Sequence, residues 1–138
     1  MGKIICHQVN CMGKMGTGLA LKIKQKYPLA YKAYMDAYRK GELHLGNVIF
    51  AEINADLIIA NLCGQKYYGR KGKYTSYEAI EKCLKAVNTF RSYSPFKDYE
   101  IWIPKKMGCA SGGGRWSVVS NMVSQAIPDA KIVSYYDI

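Results

Sequence analysis

Twice along this chain a short apolar run leads through a glycine-rich loop into a segment with helical spacing. Residues 4–9 read as a buried strand and residues 10–18 as a loop. Leu19, Ile23 and Tyr27 then recur at the spacing of one helix face. Later, residues 101–104 read as a second buried strand and residues 108–114 as a second glycine loop. A helix follows over 116–127, with Val119, Met122, Val123 and Ala126 on one stripe. Strands that alternate with helices need crossover connections, which make neighbouring strands parallel and cover both sheet faces. The expected fold class is therefore α/β: a three-layer α/β/α arrangement around a mixed, largely parallel central sheet.

The remaining segments fit this frame. Pro28 closes the first helix, and a second carries Tyr31, Tyr34, Met35 and Tyr38 on one face, with Gly41 as its stop. Residues 48–53 and 57–62 are apolar runs around Asn54-Ala55-Asp56 and read as a hairpin or as adjacent strands. Residues 64–75 form a basic loop holding Lys66, Arg70, Lys71 and Lys73. Ser76 is the expected N-cap of a helix lined by Tyr77, Ile80, Leu84 and Val87. Residues 132–136 are expected as the closing strand. With no internal repeat, linker or low-complexity tract, 1–138 is expected to be a single domain.

Composition narrows the function classes. The net charge of +10 favours an anionic partner without saying which. The five cysteines are odd in number and form no Cys-x-x-Cys pair, so neither a disulfide framework nor a zinc site is expected, and no metal or cofactor. No apolar run approaches the ~20 residues that span a bilayer, and the N-terminus has no signal-peptide pattern. The expectation is a soluble, cytoplasmic monomer with no membrane partner.

Glycine lets backbone come close to a ligand, and the free N–H groups at the start of the next helix point at an anion. Gly13-Lys14-Met15-Gly16-Thr17-Gly18 is not a Walker A loop, because no Gly-Lys-Ser/Thr closes it. Nor does its glycine spacing match the dinucleotide fingerprint. Either glycine loop alone is more often a structural turn; two of them after two strands of one α/β unit make a pair of linked phosphates the better reading.

At these residues the chain resembles the macro domain family. The run from His7-Gln8-Val9-Asn10-Cys11 through Gly18-Leu19-Ala20-Leu21 looks like that family's first ligand loop. Ile59-Ala60-Asn61-Leu62-Cys63-Gly64-Gln65 is similar to one of its strands, Thr75-Ser76-Tyr77-Glu78-Ala79-Ile80 to the start of one of its helices, and Ile103-Pro104 through Gly112-Gly113 to its second phosphate loop. Within the family the chain resembles the branch of terminal ADP-ribose protein glycohydrolase, ADP-ribose-1''-phosphate phosphatases and antitoxins that reverse DNA ADP-ribosylation. The resemblance implies that Met12, Gly13, Met15, Gly16, Thr17 and Gly18 meet the distal ribose and a phosphate. It implies that Gly108, Cys109, Ala110, Ser111, Gly112 and Gly113 hold the diphosphate through backbone N–H groups. Two departures stand out: the strand whose Asp reads adenine in the family is absent, as if the N-terminus were truncated, and Gly112 stands near where glycohydrolases carry a catalytic Asp.

Four side chains carry candidate chemistry, each with a plainer alternative. Asn10 can hold a ribose hydroxyl or a water, or can bond its own turn. His7 can act as general acid or base, or can be a satisfied strand histidine. Lys66, near the family's catalytic lysine, can stabilise an opened ribose or form a Schiff base, or can be one charge of a solvated loop. Cys109 can be a thiolate lowered by a helix N-terminus, or a small apolar filler. Tyr135 or Tyr136, at the end of the last strand, can stack on adenine or belong to the core. The expected function is binding of ADP-ribose or a derivative, with hydrolysis of an ADP-ribosyl linkage or of ADP-ribose-1''-phosphate, the partner being an ADP-ribosylated protein or nucleic acid. The alternatives are a non-catalytic ADP-ribose reader and a basic nucleic-acid-binding domain.

Overall fold

A computed structural model describes residues 2–69 and 72–138. The elements follow in the order β1 (Lys3–Asn10), α1 (Gly18–Lys26), α2 (Pro28–Arg39), β2 (Val48–Asn54), β3 (Leu57–Gln65), α3 (Tyr77–Arg91), β4 (Glu100–Pro104), α4 (Trp116–Ala126) and β5 (Lys131–Val133). The sheet runs β2-β3-β1-β4-β5. Three neighbouring pairs are parallel, and only the β2–β3 hairpin is antiparallel.

The layers follow from side-chain alternation. Ile4 and Cys6 of β1 pack with Ile80, Leu84 and Val87 of α3 and Val119 and Val123 of α4. Ile5 points the other way, into a layer with Ile23 of α1 and Ala30 of α2. All nine residues of β3 are buried, as expected for an inner strand covered on both faces, whereas the edge strand β2 is mostly half-exposed. Pro28 sits at the first position of α2, where its missing N–H costs nothing. The Ser76 hydroxyl accepts from the Ala79 N–H at 3.2 Å and caps α3 as expected.

The closing strand is shorter than the sequence suggests. β5 stops at Val133, and Tyr135–Asp137 form a 3-10 turn. The Ser134 hydroxyl accepts from the Tyr136 N–H (3.2 Å), while the Ser134 N–H donates to Asp137 Oδ2 (2.9 Å). This reciprocal capping competes with the ladder and turns the chain out of the sheet. Tyr135 and Tyr136 are consequently exposed, and Ile138 takes the core position instead. β3 errs the other way. It runs to Gln65, because Val9 pairs with Cys63 and Asn10 with Gln65 across a bulge.

Candidate functional site

β1, β3 and β4 run parallel, so the loops after them gather at one end of the sheet, where open α/β sheets bind ligands. A cleft lies there, made of two adjoining cavities of about 390 and about 220 Å³. Gln8, Thr17, Ala20, Gln65 and Ser111 border both. The larger adds Gly18 and Leu19 at the start of α1, Ala110 and Gly112 of the second loop, and Pro104, Lys105, Lys106 and Tyr135. The smaller adds Asn10, Lys14, Gly16 and Tyr68.

The first loop is pinned from beneath by one hydroxyl. Tyr34 of α2 is fully buried and donates to the Asn10 carbonyl at 2.6 Å. The same oxygen accepts from the N–H groups of Gly13 (3.1 Å) and Lys14 (3.2 Å). Burial pushes the Tyr34 hydroxyl well above its usual pKa, which keeps it a donor. The Asn10 amide is used in the same way: its Nδ2 donates to the Lys14 carbonyl (2.8 Å) and its Oδ1 accepts from Met12 N–H (2.9 Å). Gly13 has a φ of +77°, and a Cβ there would lie 3.0 Å from the Tyr38 ring.

The second loop is pinned by a chain of polar side chains and by backbone. The Gln8 amide donates to Gln65 Oε1 (2.8 Å) and Thr75 Oγ1 (2.9 Å), and Thr75 donates to the Gly108 carbonyl (2.6 Å). The N–H groups of Tyr74 and Thr75 both donate to the Gly112 carbonyl. A Cβ on Gly112 would lie 2.4 Å from Thr75 Oγ1 and 2.7 Å from the Gly108 carbonyl oxygen, so only glycine fits this approach.

Two sets of donors are left over. The N–H groups of Gly18, Leu19 and Ala20, and those of Ala110, Ser111 and Gly112, have no hydrogen-bond partner among the described residues. Thr17 precedes α1 without capping it. No Asp or Glu borders either cavity. The segments 11–26, 64–77 and 104–128 contain no acidic residue at all. The cleft therefore presents backbone donors, a helix N-terminus and lysines, which together suit an anion with linked phosphates.

The structure sorts the sequence candidates. Gly16, Thr17, Gly18, Gly108, Ala110, Ser111, Gly112, Tyr135, Asn10 and His7 border the cleft. Met12, Gly13, Cys109 and Gly113 are not among the bordering residues. Met15 is buried with Val9, Tyr34 and Cys63, where it fills space under the loop. His7 is a strand histidine bonded through one ring nitrogen only, its Nδ1 being buried without a hydrogen-bond partner among the described residues. Its Nε2 meets Asn61 Oδ1 at 2.5 Å, and Asn61 spends its amide hydrogens on the Ala30 and Ile49 carbonyls, so Nε2 carries the proton. Burial lowers its pKa to about 4, only partly offset by that bond, and it is neutral at pH 7 rather than a near-neutral acid–base group. Cys109 is the filler: burial raises its thiol, which bonds the Met107 carbonyl at 3.4 Å.

Lys66 is exposed, with its Nζ 5.3 Å from the Tyr67 ring centre. Its carbonyl accepts the Cys11 N–H at 3.1 Å, which ties the basic loop to the first glycine loop. Next to it, a hydrogen bond from Cys63 pulls the Cys11 thiol down, and the Lys66 charge adds to the effect. Arg70 and Lys71 lie outside the described residues. Sequence reasoning passed over Gln8, Gln65 and Thr75. For Gln8 and Gln65 the signal was a polar side chain toward the carboxyl end of an apolar strand, where solvation alone gives no reason for it, whereas Thr75, just ahead of α3, carried no such signal.

No family model matches the chain. A macrodomain protein from Streptomyces coelicolor superposes on it with a TM-score of 0.77 and 26% identity, over 96% of this chain and 86% of its own. The chain has the fold of a macrodomain. It is also 27% identical over 137 residues to a DNA ADP-ribosyl glycohydrolase of Mycobacterium tuberculosis, covering 95% of this chain. It is 32% identical over 96 residues, 64% of its length, to an ADP-ribose 1''-phosphate phosphatase of Saccharomyces cerevisiae. It spans 37% of the mycobacterial protein and 53% of the yeast one.

Proposed function

We propose that this macrodomain binds ADP-ribose in the cleft and hydrolyses an ADP-ribosyl linkage at its distal ribose. The observation that carries the reading is the pair of unpartnered N–H sets, at the start of α1 and at Ala110–Ser111–Gly112, on the walls of one acid-free cavity. A carboxylate in that wall would repel a diphosphate. In this pose the diphosphate bridges the two loops, the adenosine end lies toward Tyr135 and Lys105, and the distal ribose enters the smaller cavity beside Asn10 and Gly16. The combined volume suits a ligand of this size. The names of the mycobacterial and yeast relatives support the same substrate class.

Among the described residues no carboxylate borders the cleft, and His7 is neutral; Lys66 borders neither cavity but directly follows Gln65, which borders both, and together with oriented backbone it is the candidate for the chemistry. The Lys66 amine stabilises or captures the opened distal ribose, and loop N–H groups offset charge that develops on the diphosphate side. Asn10 acts by holding the loop rather than by touching the reacting atoms. The test is calorimetric titration with ADP-ribose against AMP and ADP, followed by release assays on an ADP-ribosylated oligonucleotide and on ADP-ribose-1''-phosphate. Micromolar or tighter binding of ADP-ribose, with turnover lost in Lys66→Ala, is expected. Binding with no turnover of either substrate would make the protein a reader, the alternative that the acid-free cleft also fits.

A further inference from the structure

The fold brings two of the five cysteines together at the root of the first loop. Val9 of β1 pairs with Cys63 of β3, and beyond a bulge Asn10 pairs with Gln65. Cys11 comes next, just past the end of β1. It stands two residues after Val9, and side chains so spaced on extended chain share a face. Cys11 accordingly packs on the buried cluster of Val9, Met15, Tyr34 and Cys63, and the two thiols are hydrogen-bonded. Cys63 is fully buried, whereas Cys11 is only half-buried, so solvent reaches one member of the pair. The Cys63 hydrogen bond holds the Cys11 thiol below its ordinary pKa against the cost of burial, with help from the Lys66 charge. The bond to Cys11 and burial drive Cys63 the other way. None of the other three cysteines combines these features. Burial raises Cys6 far above the ordinary thiol range and Cys83 to about 12. Cys109 is partly exposed, but burial raises it too, and it bonds the Met107 carbonyl.

We infer that Cys11 and Cys63 are a peroxide-reactive dithiol that closes to a disulfide and ties the first loop covalently to β3. Cys11 attacks hydrogen peroxide: an S–O bond forms, the O–O bond breaks, and the departing hydroxide takes up a proton as water. The sulfur is oxidised by two electrons to a sulfenic acid and the peroxide is reduced. The Cys63 sulfur then attacks the Cys11 sulfur. The S–S bond forms, the S–O bond breaks, and the oxygen leaves with the Cys63 proton as a second water. Consuming the Cys11 thiolate removes the negative neighbour that opposed ionisation of Cys63. A reducing thiol reopens the bridge by exchange, which makes the closure reversible. The place of the bridge gives it a consequence. The first loop is otherwise tied down by the Tyr34 and Asn10 hydrogen bonds and by the Cys11 N–H to the Lys66 carbonyl.

The experiment treats the full chain with a small excess of hydrogen peroxide and reads intact mass, a non-reduced proteolytic map and the thermal midpoint. Loss of two hydrogens and a cross-link between the peptides that hold Cys11 and Cys63 are expected. The midpoint should rise by about 5 °C or more, because the bridge closes a long loop of the unfolded chain, and dithiothreitol should return it. Cys63→Ala should stop at the sulfenic acid, which dimedone captures on Cys11. Cys11→Ser should give no adduct, no bridge and no rise in midpoint, while Cys109→Ser should behave as the unsubstituted chain does. A bridge from Cys63 to Cys83 instead would overturn the inference. So would dimedone capture at Cys109 ahead of Cys11, a lasting Cys11 sulfenic acid beside a free Cys63 in the unsubstituted chain, or no reaction at all. None of these readouts involves ADP-ribose, so the outcome stands apart from the proposed function.

Discussion

The two glycine loops border one cleft, yet they are held in different ways. The first is held by two side chains: the buried Tyr34 hydroxyl of α2 holds Asn10, Gly13 and Lys14 at once, and the Asn10 amide bonds Met12 and Lys14. The second is held by closeness of backbone to backbone, with Thr75, Gln8 and Gln65 wedged beneath it. In the first, rigidity is borrowed from a distant helix, and the cleft-bordering Gly16 and Gly18 keep open space around them. In the second, glycine is required by what lies behind it. Substitutions should therefore separate ligand binding from stability in the first loop and couple them in the second.

The sharpest test of that contrast is Gly16→Glu. A Cβ on Gly16 meets nothing within 4 Å, so the fold should survive. The carboxylate, however, would enter an anion-binding cavity, and ADP-ribose affinity should fall by about a hundredfold or more, near 3 kcal/mol. The matching change Gly112→Ala should lower both affinity and thermal midpoint, because its Cβ has no room. A calorimetric titration beside a melting curve reads the two effects separately.

Beneath the first loop lies the His7–Asn61 pair, and it sets a pH limit. His7 is neutral when folded, with its pKa lowered from 6.5 to about 4. Below pH 6.5 the unfolded chain takes up a proton that the native chain refuses, so stability is full above 6.5. It should drop by about 2–3 kcal/mol as pH falls toward 4. Denaturant melts over that window should show the drop, and His7→Gln should flatten it.

Tyr34→Phe deletes only the shared hydroxyl. It should cost about 2 kcal/mol of stability, since it leaves buried groups without partners, and it should loosen ADP-ribose binding through the first loop alone. Thr75→Val should cost about 1 kcal/mol and act on the second loop by freeing the Gly108 carbonyl. If the two variants weaken binding equally per unit of lost stability, the distinction between the loops fails.

Much of this protein was legible in the order of its residues. The apolar runs of β1, β3 and β4, the helical stripe of α4, the Ser76 cap and both glycine loops lie within a few positions of where hydrophobic period and turn chemistry put them, because those signals are local. What failed was decided by distant partners. Ser134 and Asp137 end the last strand by bonding each other, which a run of apolar and aromatic residues at 132–136 does not betray. Met15 sits in a loop whose Lys14, Gly16 and Thr17 border the cleft, and only the packing of Tyr34 and Cys63 around it explains its burial. Asn10 and His7 have side chains suited to catalysis and border the cleft, but the bonds that Asn10 makes within its own loop and that His7 makes to Asn61 were not legible in the sequence.

The sequence by itself therefore determined the class of fold, the positive charge and the two glycine-rich loops that border the cleft, because each depends on residue type and spacing. Tertiary structure decided which polar side chains are spent on holding the loops and which donors remain for a ligand. That division depends on contacts as remote as Tyr34 to Asn10 and Thr75 to Gly108, and hydrogen-bond satisfaction can be counted only once those residues are brought together.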